Sequence, residues 1–156
     1  MGPVVTPAAL LQQQDVLELF TFSVRGCRYA VDLARVEEVL SSLHPEAPPT
    51  GIRPPVTGLV LLRGERVPVV DLRALLQEGP APAAGRPGLL VCWVGRRRVA
   101  FSIDGVGAVA QVAVTSLRLP GAAEEVPSGV VAVFPQPPGV LFLLDLVALL
   151  RGKSLP

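Results

Sequence analysis

The sequence is poor in charge. Only 17% of its 156 residues are Asp, Glu, Lys or Arg, against about 25% in an ordinary domain. The two signs nearly cancel, leaving a formal net charge of +1. A nucleic-acid binder needs an excess of cations to neutralise phosphates, and this chain has a single lysine, Lys153. Its one basic run, Arg96-Arg97-Arg98, follows Gly95 between two apolar runs. It reads as a hairpin turn with a solvated flank, without aromatic neighbours ready to stack on bases. Aromatic residues are scarce, at 4%. The two cysteines, Cys27 and Cys92, lack any metal or redox spacing; buried free thiols are the expectation. The only histidine, His44, stands beside Glu46 in a proline-rich stretch, where a solvated role is expected. No window of about 18 uncharged apolar residues exists, so a membrane-spanning helix is not expected. The longest candidate, residues 140–150, carries Asp145. No basic and apolar leader opens the chain, and a cytoplasmic location is the expectation.

Apolar residues are abundant. They make up half the sequence, and the mean hydropathy is +0.51. Such a chain has the means to bury a core, which excludes disorder for most of its length. Seventeen prolines and fifteen glycines punctuate it and mark loops. Residues 1–14 read as a flexible tail. Residues 20–24 alternate apolar and polar side chains, the pattern of a half-buried strand. Arg25-Gly26 reads as a turn and residues 28–33 as the returning strand. Residues 56–62 and 66–70 form a second hairpin around Arg63-Gly64-Glu65. Pro68 cannot donate to a ladder, so one side of its strand should lie unpaired. Asp71 stands at an N-cap position before a short helix over residues 72–77. Residues 79–87 read as a Pro, Ala and Gly linker. Further strands are expected over residues 89–94, 98–103, 111–114, 129–134 and 140–144. The last hairpin turns at Pro135-Gln-Pro-Pro138, and Asp145 opens a closing helix.

The second half repeats the first. Arg28, Ala30, Val36 and Val39 match Arg98, Ala100, Val106 and Val109. The stretch ending Asp71-Leu-Arg-Ala-Leu-Leu76 matches Asp145-Leu-Val-Ala-Leu-Leu150. A period of about 70 residues is too long for a solenoid and implies two related β units. Short strands joined by tight turns suggest small barrels. The expectation is an all-β chain of two packed five-stranded barrels, one from residues 15–77 and one from 88–151. Their apolar surfaces should share a seam.

Little here resembles catalytic machinery. No glycine-rich phosphate loop precedes a helix, and no Ser/His/Asp set or carboxylate pair stands out. Most of the aspartates fall at strand ends or caps. No cofactor or metal site is expected. One polar group does stand out. Glu37 and Glu38 interrupt an apolar series, and Arg63 stands in a hairpin turn. They can form a surface ion pair that shapes a protein-binding face, since arginine's planar fork suits interfaces.

Four segments carry a family resemblance. Gly58-Leu-Val-Leu-Leu-Arg-Gly-Glu-Arg-Val-Pro-Val-Val-Asp-Leu-Arg73 is similar to the most recognisable segment of the CheW family of chemosensory adaptors. Phe20-Thr-Phe-Ser-Val24 with Arg28-Tyr-Ala-Val-Asp-Leu-Ala-Arg-Val-Glu-Glu-Val39 also resembles that family. So do Arg98-Val-Ala-Phe-Ser-Ile-Asp-Gly-Val106 and Leu143-Leu-Asp-Leu-Val-Ala-Leu-Leu150. The resemblance covers residues 15–151 in the family's order. It implies two five-stranded SH3-like barrels and a non-catalytic scaffold at receptor arrays beneath the membrane. The implied partners are the cytoplasmic tip of methyl-accepting chemoreceptors and the CheW-like regulatory domain of a CheA-type histidine kinase. Other CheW-like proteins in rings are further implied partners. By position, Glu38 and Arg63 match the acidic residue and the arginine of the family's partner-binding face. Val36 and Leu62 match its apolar neighbours, and Leu61 and Gly64 complete the expected partner-binding set. Leu61 departs from the pattern, standing where the family has Asn, which suits turn backbones better than Leu. An adaptor that binds the receptor but not the kinase is therefore an alternative. An SH3-like barrel that binds nucleic acid through Arg96-Arg97-Arg98 is a remote one.

Overall fold

Tight two-residue turns organise this chain, and each turn residue's backbone shows why. In the computed structural model, which describes residues 15–41, 55–76, 87–121, 126–153 and 155, Arg25-Gly26 and Arg63-Gly64 both have positive φ at both positions. That is the pattern of a type I′ turn, whose twist matches the twist of paired strands. The turns join β1 (Val16–Val24) to β2 (Cys27–Asp32), and β4 (Val56–Leu62) to β5 (Glu65–Asp71). Gly95, with φ 65°, opens the turn between β6 (Gly88–Val94) and β7 (Arg97–Ile103). The remaining strands are β3 (Val36–Leu40), β8 (Gly105–Ala113), β9 (Val130–Gln136) and β10 (Gly139–Leu144). Two short helices, α1 (Leu72–Leu76) and α2 (Leu146–Leu149), follow β5 and β10. Asp71 caps the first, its Oδ1 accepting from the Arg73 N–H at 2.9 Å. Asp145 caps the second, accepting from Val147 and Ala148.

The strands form two five-stranded sheets, ordered β8-β1-β2-β10-β9 and β3-β6-β7-β5-β4. Replacing each strand in the first order by the one five places away yields the second. The sequence repeat is therefore a structural repeat, but its halves are not the barrels. Each barrel takes the leading hairpin of one half and the last three strands of the other. This corrects the expectation of one barrel from residues 15–77 and another from 88–151. The reason lies in the connections. A single residue, Asp104, separates β7 from β8, and a tight hairpin needs two. The chain crosses to the other sheet instead. Between β2 and β3 a three-residue turn, Leu33–Arg35, makes the equivalent crossing.

Alternation along the central strands divides the apolar side chains among three cores. Leu17, Leu19, Ala30, Phe134 and Leu141 fill the first barrel. Val60, Leu62, Val67, Val91 and Ala100 fill the second. The largest cluster lies in the seam, where Phe20, Phe22, Tyr29, Leu90, Cys92 and Phe101 meet the leucines of both helices. β1, β2, β6 and β7 are thus buried on both faces, which is where much of the apolar excess goes. Pro68 sits just before the β5–β7 ladder, which begins at Val69, so its missing N–H breaks no bond there.

Several boundaries differ from the sequence expectation. The α1 helix ends at Leu76, and Gln77 lies outside the described residues. β8 runs unbroken from Gly105 rather than starting at residue 111. β9 extends through Pro135 and Gln136, leaving the turn to the cis Pro137-Pro138 pair. The tail over residues 1–14, His44, Glu46 and most of the 79–87 linker also fall outside the described residues.

Candidate functional site: the closed edge of the second barrel

β3 and β4 are the two edges of the second sheet. An exposed edge invites unwanted pairing, and charge on it is a common safeguard. β3 carries Glu37 and Glu38, at a register shift between Val36 and Glu38. The β4–β5 turn carries Arg63. The Arg63 side chain spans from that turn to β3: its Nη1 lies 2.9 Å from Glu38 Oε1 and 3.9 Å from Glu37 Oε1. The ion pair expected between the glutamates and Arg63 is therefore formed, and it bridges the opening of the barrel.

The network continues inward. Arg98 of β7 places Nε 3.2 Å from Glu37 Oε2 and Nη1 3.1 Å from Glu65 Oε2. These contacts are close without the alignment of hydrogen bonds. The Arg98 guanidinium also lies 5.1 Å over the Trp93 ring, within cation–π range. Two guanidiniums thus face three carboxylates. Their environments differ. The Arg98 side chain is only 18% exposed, while that of Arg63 is 63% exposed. Arg98 is the fixed centre, and Arg63 is the cation offered to solvent. Arg98 belongs neither to a turn nor to a solvated flank, and an aromatic ring stands beside it, contrary to the sequence expectation. The signal was present in the alternation of β6. Trp93 shares the parity of the core residues Leu89 and Val91, and Arg98 pairs directly across from it.

The other candidate residues fall in different layers. Leu62 points into the second core and is buried, so it supports the hairpin from beneath. Val36 is half-buried and packs against the seam cluster. Leu61 faces outward, 61% exposed, opposite Arg66. Gly64 has φ 80° and completes the turn. The structure brings together Glu38, Arg63, Gly64 and Leu61 at the surface, with Leu62 and Val36 behind them.

Asp104, a strand-end residue in the sequence, has a wider role in the structure. It is buried, accepts from the Arg25 N–H at 2.7 Å, and lies 3.4 Å from Arg73 Nε. It thus ties the first barrel's strained turn to α1 at the crossing between sheets. Among the described residues no cluster of His, Cys, Asp and Glu is arranged to hold a metal. No helix among them is long and apolar enough to cross a membrane.

The comparisons agree with this architecture. A family model described as a CheW-like domain matches residues 18–154. The crystal structure of the scaffolding protein TtCheW from Thermoanaerobacter tengcongensis is similar at a TM-score of 0.77 and 18% identity. That alignment covers 88% of this chain and 94% of the other, and it shows the shared fold.

Proposed function

This chain belongs to the CheW-like family of chemotaxis scaffolds and adaptors, and from that premise we propose that it couples chemoreceptors to a CheA-type histidine kinase. Its partners are the cytoplasmic receptor tip and the kinase's CheW-like regulatory domain, with further CheW-like proteins in rings. It works at receptor arrays on the inner face of the membrane, without inserting into the membrane and without nucleic acid. The observation that supports this best is the Arg63–Glu38 pair on the closed edge. It presents a cation on a turn whose backbone is fixed and whose base is buried. Such a preset charge costs little ordering on binding. Exposed Leu61 beside it offers an apolar contact, and the three together form the partner face.

Leu61 also supports a second reading, in which the receptor is bound and the kinase is not. A polar family position has become apolar here, which alters one partner contact without removing the face. Calorimetric titration with a receptor-tip hairpin and with the kinase regulatory domain separates the two readings. Binding of both supports the bridge. Binding of the receptor alone supports the narrower adaptor. Binding of neither contradicts both.

A further inference from the structure

Four strands stand at the edges of the two sheets. β3 carries Glu37 and Glu38. β4 shifts register between Val56 and Gly58 and ends beside Arg63. β9 is covered: Arg118 and Val133 exchange both backbone hydrogen bonds, at 2.8 and 2.7 Å. β8 has neither charge nor cover. Its sequence, Gly-Val-Gly-Ala-Val-Ala-Gln-Val-Ala, holds one polar side chain, that of Gln111. Among the described residues it pairs with β1 alone. A long uncharged edge is a template for a further strand.

The free part of β8 is its second half. Ahead of it the β1–β8 register shifts at Thr21, whose hydroxyl bonds the backbone of Ala108, and Val106 packs against the seam cluster. From Val109 to Ala113 the pairing with β1 is regular. Val114 donates its N–H to Asp15 at 2.8 Å, so Val112 and Ala110 also turn their backbone groups toward β1. Val109, Gln111 and Ala113 turn theirs outward. All three residues are exposed, and so is Val16, across from Ala113 on β1. This half can face its own copy without conflict. Run antiparallel to itself about Gln111, the edge sets Val109 opposite the second copy's Ala113, and Gln111 opposite the second copy's Gln111. Every outward backbone group then finds a partner, and no charge meets its like. The residue on the two-fold axis carries an amide, which both donates and accepts and so bonds its own counterpart. A lysine or glutamate there would repel itself.

We propose that the second half of β8 is an interface for a second copy of this chain, joining two first sheets edge to edge into one continuous antiparallel sheet. The contact uses the same surface on both copies, so it closes at two. It thereby differs from the head-to-tail contacts that build rings. The Arg63 edge belongs to the other sheet and takes no part, so the pair presents two such faces.

The test follows the full chain by sedimentation and by amide hydrogen exchange over a concentration series up to about 1 mM. The mass should rise to that of a dimer and stop there. The Val109, Gln111 and Ala113 amides should gain protection with concentration, while those of Ala110 and Val112 are protected throughout. Gln111→Glu and Gln111→Lys each set like charges on the axis and should weaken the dimer about fivefold or more, with an unchanged fold by circular dichroism. An equimolar mixture of the two variants should restore it. A chain that stays monomeric overturns the proposal. Protection of the three amides that does not vary with concentration also overturns it, because a segment of the same chain would then cover the edge. So does assembly beyond two, self-association that both variants keep undiminished, or a mixture that fails to restore the dimer. No receptor or kinase takes part, so the outcome is independent of the adaptor reading.

Discussion

Arg63 and Glu38 stand at opposite edges of one sheet, yet their charged atoms are 2.9 Å apart. The pair spans from the β4–β5 turn to β3 and forms the centre of the proposed partner face. Arg63 reaches it from a strained backbone, with φ 49°. A non-glycine residue in that region costs roughly 1–2 kcal/mol, and Asn tolerates it better than Arg. The exposed ion pair returns only about 0.2–1 kcal/mol. Arg63→Asn should therefore leave the protein as stable or slightly more stable in urea titrations, while weakening partner binding.

Arg25 supplies the control. It has φ 52° in an equivalent turn, and its backbone N–H, which any residue except proline keeps, meets Asp104. Arg25→Asn should stabilise by about 1 kcal/mol and leave binding at the Arg63 face unchanged. A marked loss of urea stability would contradict the strain account.

Arg98 behaves differently from Arg63 because its environment is drier. Removing it leaves Glu37 and Glu65 close together without their shared cation. Arg98→Ala should destabilise by about 1–3 kcal/mol. Trp93 is the chain's only tryptophan, so its emission should shift in the same variant. An unchanged spectrum would show that the ring and the guanidinium do not stack in solution.

Gly107 has a steric requirement. A Cβ there would lie 2.2 Å from the Thr21 carbonyl oxygen, a backbone atom that cannot swing away. Gly107→Ala should destabilise by about 1–3 kcal/mol and lower the thermal midpoint. Gly139→Ala, with open space around it, should change stability far less.

Burial pushes the Cys92 thiol well above its ordinary value of 9.0. In the unfolded chain that thiol ionises near the ordinary value, while in the fold it keeps its proton. The folded state thus holds more protons at alkaline pH, and stability falls as pH rises past 9.0. The slope is about 1.4 kcal/mol per pH unit until the folded thiol ionises. Relative to Cys92→Val, the unmutated chain should lose stability over that range. Cys27, half-buried, should react with a thiol reagent in the native state while Cys92 does not.

The hairpins were legible because their turn and capping residues are local. Arg25-Gly26, Arg63-Gly64, Asp71 and Asp145 declare themselves within four residues. The pairing of Glu38 with Arg63 was legible too, since charges interrupting an apolar series need a reason. The strand exchange was not. The repeat shows that two units are alike, but the hydrophobic pattern of β3 or β8 is the same whichever sheet it joins. The one-residue connection at Asp104 is a feature of the structure alone, because the sequence pattern places the next strand at residue 111. The role of Arg98 was hidden for a related reason. A basic run beside a turn reads as solvated until the partners on β3 and β5 are brought to it by tertiary structure.

The central claim is that the Arg63–Glu38 edge is the face by which this adaptor holds its partners. Titrating receptor-tip hairpin and kinase regulatory domain into the unmutated chain and into Arg63→Ala tests it most directly. The account predicts binding by the unmutated chain, a loss of about tenfold or more in affinity for at least one partner on substitution, and an unchanged fold by circular dichroism. Undiminished affinity of Arg63→Ala for both partners would contradict it.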